Sequence, residues 1–367
     1  MKRVVVAVLD WGLGHATRSV PVIRELMRQG CEVFLAGSGE SLALLRKEFP
    51  ELRVLTLPAY APRYPQSGTF MELSMALQLP RFIRAITAEH RALEKIVREE
   101  HIDCIISDNR YGCWSKKIRA VFITHQSNIL MPRRFGFLAG AVRRINERLM
   151  SRFDECWIPD SPSDDSLTGE LSTFGKSNVT VSVRRIGWLS RFEPRLTKGS
   201  DAIDVLAIFS GPEPQRTALE NIILPQLKAS SLDFRVVRGL PSVDSDTGDK
   251  RVVNFMTATD LQRAIESAAL IIARSGYSTV MDMKALEKRV VFIPTPGQTE
   301  QEYLGKRLKE AGVAYCVSQD QFDLNAAIAE SKKFSGFVSG GNNSLLIRAV
   351  EDLLHPRHEK ATNESLA

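Results

Sequence analysis

The chain has 367 residues, 44% of them hydrophobic, which is material for two domains of ordinary size, each with its own core, rather than for a single all-α or all-β unit. Its formal net charge of +6 is modest for a nucleic-acid binder and fits anionic partners such as phosphates or an acidic membrane surface. Five cysteines, at 31, 104, 113, 156 and 316, are odd in number and never spaced as CxxC, which suits reduced thiols in a cytoplasmic protein better than disulfides or a zinc site.

Met1, Lys2 and Arg3 precede an apolar run over 4–9 that is too short for the core of a secretion signal and reads as a buried first strand. A helix over 16–29, a strand over 32–36, a helix over 41–49 and a strand over 53–57 follow. A helical region from about 71 to 100 then leads to strands over 104–107, 120–124 and 156–159. No stretch reaches the roughly 18 to 20 apolar residues of a membrane span, so any membrane contact is expected to be peripheral. After Gly187 the periodicity lapses, and 188–203, with Pro194 and Gly199, reads as a linker. A second alternation places strands at 205–209, 234–238, 252–253, 270–273 and 290–293, with helices over 215–229, 260–267 and 279–286 between them. Alternating short β-branched runs and helices specify parallel sheets covered on both faces. The expected fold class is therefore α/β, with two Rossmann-like domains, 1–187 and 204–355, facing each other across a cleft. The last helix, over 343–354, is expected to cross back onto the first domain, and 356–367 to be a disordered polar tail.

In such sheets the ligand sits at the carboxyl ends of the strands. The first strand ends at Asp10 and runs into Trp11, Gly12, Leu13, Gly14 and His15. Gly12 and Gly14 allow backbone amides to approach an anion at a helix N-terminus. A dinucleotide loop would carry a third glycine and an acidic residue closing the second strand; both are missing here, so NAD is not expected and no cofactor is assigned. His15 would point into the crevice as a catalytic or phosphate-contacting group, or else cap the helix. Two further polar clusters close strands on the same edge, Asp108-Asn109-Arg110 and His125-Gln126-Ser127-Asn128. Asp108 would orient His15, take a proton, or cap the segment that follows.

In the second half, residues 274–282 read Arg-Ser-Gly-Tyr-Ser-Thr-Val-Met-Asp after a buried strand. One reading is an ordinary turn with an N-cap. The other sets the amides of Ser275 and Gly276 near a diphosphate, with Asp282 as an acceptor for sugar hydroxyls. Residues 294–303 bring Gln301 and Glu302 after the next strand, able to read sugar hydroxyls or simply to start a surface helix. No His, Cys and carboxylate spacing forms a metal site, and none is expected.

The pattern RSGxxTVxD at 274–282, followed by a proline loop and QEY at 301–303, resembles the donor-side domain of the MurG family of peptidoglycan N-acetylglucosaminyltransferases. GxGH at 12–15 and HQSN at 125–128 resemble that family's glycine loop and HEQN segment. The resemblance implies the GT-B arrangement of two Rossmann-like domains and a nucleotide-sugar donor, of uridine type. It places Asp282 at the ribose diol, Gln301 and Glu302 at the donor sugar, and Ser275 and Gly276 at the diphosphate. Phe255 and Met256 match the base-binding loop, and Gly12, Gly14 and Asn128 join the nucleotide-sugar contacts. The sequence departs from the pattern at Ser210-Gly211-Pro212, where a glycine-rich loop is expected and where Arg216 would supply charge instead. Glu302 also stands for a glutamine and Asp282 for a glutamate.

The implied reaction is displacement at an anomeric carbon by an acceptor hydroxyl, with inversion, without a metal, and with His15 or Asp108 taking the proton. A 2-epimerase of the same fold and a non-catalytic nucleotide-sugar-binding partner subunit are the alternatives. Residues 129–153 interleave Arg133, Arg134, Arg143, Arg144, Arg148 and Arg152 with apolar side chains. They read either as a peripheral contact with the inner face of the membrane, near a lipid-linked acceptor, or as a solvated basic face packed on its own domain. The acceptor is not named by the sequence, and nucleic acid is not an expected partner.

Overall fold

The computed structural model describes residues 1–60, 78–131, 136–137, 139–162, 165–174, 181–192, 202–338 and 344–355. Most of the expected linker, the expected tail, residues 71–77 of the long helical region, Asn343 and part of the basic segment, including Arg133 and Arg134, lie outside them.

The first sheet contains β1 (Arg3–Val8), β2 (Glu32–Gly37), β3 (Arg53–Thr56), β4 (Cys104–Asp108), β5 (Arg119–Ile123), β6 (Glu155–Ile158) and β7 (Ser182–Arg185) in the order β3-β2-β1-β4-β5-β6-β7. All six pairings are parallel. Val4, Val5, Val6, Ala7 and Val8 are all buried, because helices cover both faces of the sheet and neither side of the central strand meets water. The second sheet contains β8 (Ile203–Ile208), β9 (Phe234–Val237), β10 (Val252–Val253), β11 (Ala268–Ala273), β12 (Val290–Phe292) and β13 (Tyr315–Cys316) in the order β10-β9-β8-β11-β12-β13. In each sheet the strand order reverses beside the domain's first strand, so a crevice opens above β1/β4 in one and β8/β11 in the other.

The described helices are α1 (Gly14–Arg28), α2 (Gly39–Glu48), α3 (Leu79–Glu99), α4 (Ala139–Met150), α5 (Gln215–Ala229), α6 (Ala258–Glu266), α7 (Tyr277–Ala285), α8 (Thr299–Glu310), α9 (Leu324–Ser331) and α10 (Ser344–Leu354). None is long and apolar enough to cross a membrane. On α10, Leu346, Ala349, Val350, Leu353 and Leu354 form a buried stripe at helical spacing. The helix lies on the first domain: Arg119 donates to the Asp352 carbonyl at 3.0 Å and Arg184 to its carboxylate at 2.8 Å. On α4 the buried residues are Asn146, Glu147 and Met150, while Arg143, Arg144, Ile145 and Arg148 are exposed.

Separate hydrophobic clusters fill the outer faces of the two sheets, but the largest cluster is shared. It runs from Val4 and Val20 in the first domain through Tyr277 and Met281 of α7 to Leu353 of α10, so the domains are packed on one another. Polar contacts add to this: Tyr277 donates to the Pro159 carbonyl at 2.7 Å, and the Glu170 amide donates to the Tyr303 hydroxyl at 2.9 Å. On the other rim the Glu48 carboxylate caps α6 by accepting from the Ala258 amide at 2.8 Å.

Candidate active site

The two crevices merge into one cavity lined from the first domain by Gly12, Gly14 and His15 and from the second by Ser210, Gly211 and Gly276. Gly12 (φ +78°) and Gly211 (φ +103°) hold left-handed backbone that a side chain would strain, and a Cβ on Gly12 would come within 4.0 Å of the Gly211 Cα. The amino ends of α1 and α7 meet here, tied by a 2.7 Å hydrogen bond from the Ser278 hydroxyl to the Gly14 carbonyl. Neither helix has a side-chain N-cap, which leaves first-turn amides and the positive ends of two helix dipoles for an anion.

His15 lies at the start of α1 with Nδ1 2.8 Å from Asp108 Oδ1 and 2.9 Å from Arg18 Nη2. The guanidinium can only donate, and Nη2 already bonds Asp108 Oδ1, so the consistent assignment is Nδ1–H donating to the carboxylate. That leaves the Nε2 lone pair for the cavity. Burial, then Arg18, lower the His15 pKa from its ordinary value against the opposing pull of Asp108, so the ring is a neutral base at neutral pH.

Asp108 is fully buried at the end of β4. It accepts from Arg18 Nε at 2.7 Å, from Arg18 Nη2 and from the Ser19 hydroxyl at 3.2 Å. Burial alone would raise its pKa, but Arg18 and His15 outweigh it and hold the carboxyl well below the usual range. Held as an anion in its ion pair with Arg18 and 2.8 Å from His15 Nδ1, Asp108 is better placed to orient His15 than to collect a proton itself.

Arg18, 1% exposed, was not singled out by the sequence reading, nor was Glu300. Arg18 Nη1 lies 2.6 Å from His125 Nδ1, and His125 Nε2 lies 2.9 Å from Glu300 Oε1 at the start of α8. The His125 ring is stacked on Tyr277 of α7, centroids 4.5 Å apart and planes 2° from parallel. His125 belongs to the HQSN segment, but Asn128, further along it, is not in the cavity; its amide donates to the Glu170 carbonyl at 3.1 Å.

On the donor side Asp282, Gln301, Phe255 and Met256 all line the cavity. Asp282 accepts from the Ser190 hydroxyl at 2.7 Å and sits 3.8 Å from the guanidinium of Arg191. Burial outweighs both and pushes its pKa up to about 6. Because the folded-state value is raised, ionising Asp282 costs stability, fully so above pH 6. Asp282→Asn is therefore expected to raise the melting temperature at pH 8, by at most about 3 kcal/mol of stability less whatever Arg191 loses, and to leave it unchanged near pH 3; thermal scans across that range check it.

The side chains of three further expected residues are engaged elsewhere. Arg216 is 4% exposed and pairs with Glu213 and Glu220 of its own turn and helix, so its charge is spent locally and does not reach the cavity. The Ser275 hydroxyl donates to the Gln301 carbonyl at 2.8 Å, behind the cavity wall that Gly276 forms. Glu302 is exposed and accepts from the Gly297 amide at 2.9 Å, shaping the loop; Glu300 is the carboxylate that faces inward. The cation missing at Arg216 is found at Arg191, whose buried Nε has no hydrogen-bond partner, as is also true of Trp11 Nε1. Both side chains line the cavity. Among the described residues no three His, Cys, Asp or Glu side chains converge to hold a metal ion.

Comparison with known proteins agrees with this geometry. Residues 228–336 match the glycosyltransferase family 28 C-terminal domain. Over 313 residues, 81% of this chain and 87% of the relative, the sequence is 22% identical to an uncharacterised glycosyltransferase of Methanopyrus kandleri. It is 20% identical over 345 residues, 88% and 89% of the two chains, to the UDP-N-acetylglucosamine–N-acetylmuramyl-(pentapeptide) pyrophosphoryl-undecaprenol N-acetylglucosamine transferase of Actinobacillus pleuropneumoniae. The crystal structure of MurG from Acinetobacter baumannii superposes with a TM-score of 0.51 at 16% identity, covering 97% of this chain and 95% of that one. With the two facing sheets and the shared cavity, these likenesses show the GT-B fold and a glycosyltransferase family 28 C-terminal domain, and support a glycosyltransferase similar to MurG.

Proposed function

We propose that the chain transfers a sugar from a uridine diphosphate sugar to an acceptor hydroxyl, with inversion and without a divalent metal. The observation that carries this reading is the neutral, Asp108-anchored His15 in the first turn of α1, lining one cavity together with the uncapped N-termini of α1 and α7. The acceptor proton passes to His15 Nε2 as the acceptor oxygen bonds to the anomeric carbon. The bond from that carbon to the diphosphate breaks, and the nucleotide leaves with the electron pair. Its charge meets the amide dipoles of α1 and α7 and the guanidinium of Arg191, a preorganised field that needs no reorientation during the step. Asp282 takes the ribose hydroxyls, Gln301 the donor sugar, and Phe255 and Met256 the base. A uridine donor is supported by the name of the Actinobacillus relative. A lipid-linked acceptor at the cytoplasmic face of a membrane is supported by the exposed Arg143, Arg144, Ile145 and Arg148 of α4.

The test is thermal stabilisation against UDP, UDP-N-acetylglucosamine, thymidine diphosphate and NAD. UDP compounds at about 100 times Kd are expected to add about 2.7 kcal/mol, a rise of several degrees, and NAD none. A shift with NAD and not with UDP sinks the reading. A 2-epimerase would instead change the sugar of its donor with no acceptor present.

A further inference from the structure

We propose that Glu300, on the donor-side helix α8, is a positioning residue that sets the tautomer of His125 and through Arg18 organises the base His15 on the opposite domain. The inference rests on His15 as the base. Glu300 Oε1 stands 2.9 Å from His125 Nε2, and His125 Nδ1 stands 2.6 Å from Arg18 Nη1. A guanidinium donates only and a carboxylate accepts only, so a single form of the ring satisfies both neighbours: Nε2–H toward Glu300 and a bare Nδ1 toward Arg18. The other neutral tautomer would set an N–H against an N–H at one end and a lone pair against a carboxylate at the other. With Nη1 held by His125, Nε and Nη2 are aimed at Asp108, and Nη2 lies beside His15 Nδ1.

The ring cannot rotate out of this arrangement cheaply, since it is stacked on Tyr277, itself 2% exposed. Glu300 reaches it because α8 is docked on the first domain through Thr299, which donates to the Leu130 carbonyl at 3.0 Å, and through Tyr303. The charged and titratable groups that bear on His15 are Arg18 from its own helix, Asp108 from the end of β4, His125 from the loop after β5 and Glu300 from α8. Burial opposes ionisation of Glu300, but His125, Arg18 and His15 outweigh it and hold its carboxyl below the usual range, so it is an anion at neutral pH. The acceptor-side base is thus fully organised only when the donor-side helix is in place.

The experiment is long-range 1H–15N correlation of the full chain labelled at histidine, read from pH 5 to 8 without donor, with His15 and His125 assigned by His15→Gln and His125→Gln. In the wild type His125 is expected to show the pure Nε2–H pattern. Glu300→Ala is expected to mix its tautomers and to lower the His15 titration midpoint by about half a unit or more, since a negative charge is lost. Glu300→Gln keeps an acceptor oxygen but no charge, so it should preserve the tautomer and still lower the midpoint; it tests the proposal even if the alanine variant does not fold. An unchanged His15 midpoint in both variants, or a pure Nε2–H His125 in Glu300→Ala, overturns it. Since no nucleotide is present, failure to bind UDP compounds would sink the proposed function without deciding this one.

Discussion

Replacing His15 by glutamine is expected to lower the rate of nucleotide release by about 10²- to 10⁴-fold, with UDP affinity changed by less than about threefold. The argument is geometric. His15 contributes a bare Nε2 to the cavity while its other nitrogen is fixed by Asp108, so its loss removes the proton acceptor and little of the nucleotide's binding surface. Glutamine keeps a polar side chain of similar length beside Asp108 but is no base. Initial rates of UDP release and calorimetric titration with UDP separate the two quantities. A pure nucleotide-sugar binder predicts no loss of function, and a fall in affinity as large as the fall in rate would make His15 a phosphate ligand instead. The pH profile adds a check: since burial and Arg18 depress its pKa, the acid limb of kcat/KM belongs below the ordinary histidine value of 6.5.

Asp108→Ala is expected to destabilise the fold by about 3 to 5 kcal/mol, seen as a fall in melting temperature on the order of 10 °C. The cause is the partner left behind. Arg18, 1% exposed, would keep a buried guanidinium with no carboxylate beside it, and Ser19 and His15 would each lose an acceptor. The double variant Asp108→Leu, Arg18→Met removes both charges and should recover much of the loss while remaining inactive, because His15 is then unanchored. The pH dependence has a definite sign. The folded-state pKa of Asp108 is depressed, so its stabilisation is present above the unfolded carboxylate range and fades as the medium is acidified toward the folded value. The gap between wild type and Asp108→Ala should therefore narrow in acid; a gap constant down to pH 3 would mean that packing, not charge, carries it.

What the sequence reveals depends on how much of a signal is local. The buried central strands announce themselves by continuous β-branched runs, and the helix read over 215–229 coincides with α5. The edge strand β7, with Ser182 and Val183 exposed, and the two-residue β13 carry almost no hydrophobic pattern, because an edge needs little burial. Within the site, motif position located His15, Asp282 and Gln301, whose backbone places are fixed by strand ends and helix starts. Arg18 was legible in principle: three residues past His15, it lies on the same face of α1. The fate of Arg216 was also written locally, with Glu213 at i−3 and Glu220 at i+4 ready to absorb its charge. The partnership of Glu300 with His125 was not, since it joins residues 175 positions apart and exists only once the two domains meet. The exchange of Glu302 for Glu300 is a matter of helical phase at α8, which acidic composition alone leaves open.

The return of α10 to the first domain gives the molecule two covalent crossings rather than one, the first between β7 and β8 and the second between α9 and α10. A single cut in either connection would leave the two halves joined by the other. A fragment ending before residue 344 would bare the surface now covered by Leu346, Val350 and Leu353, so the first domain keeps its apolar cover only when α10 is present.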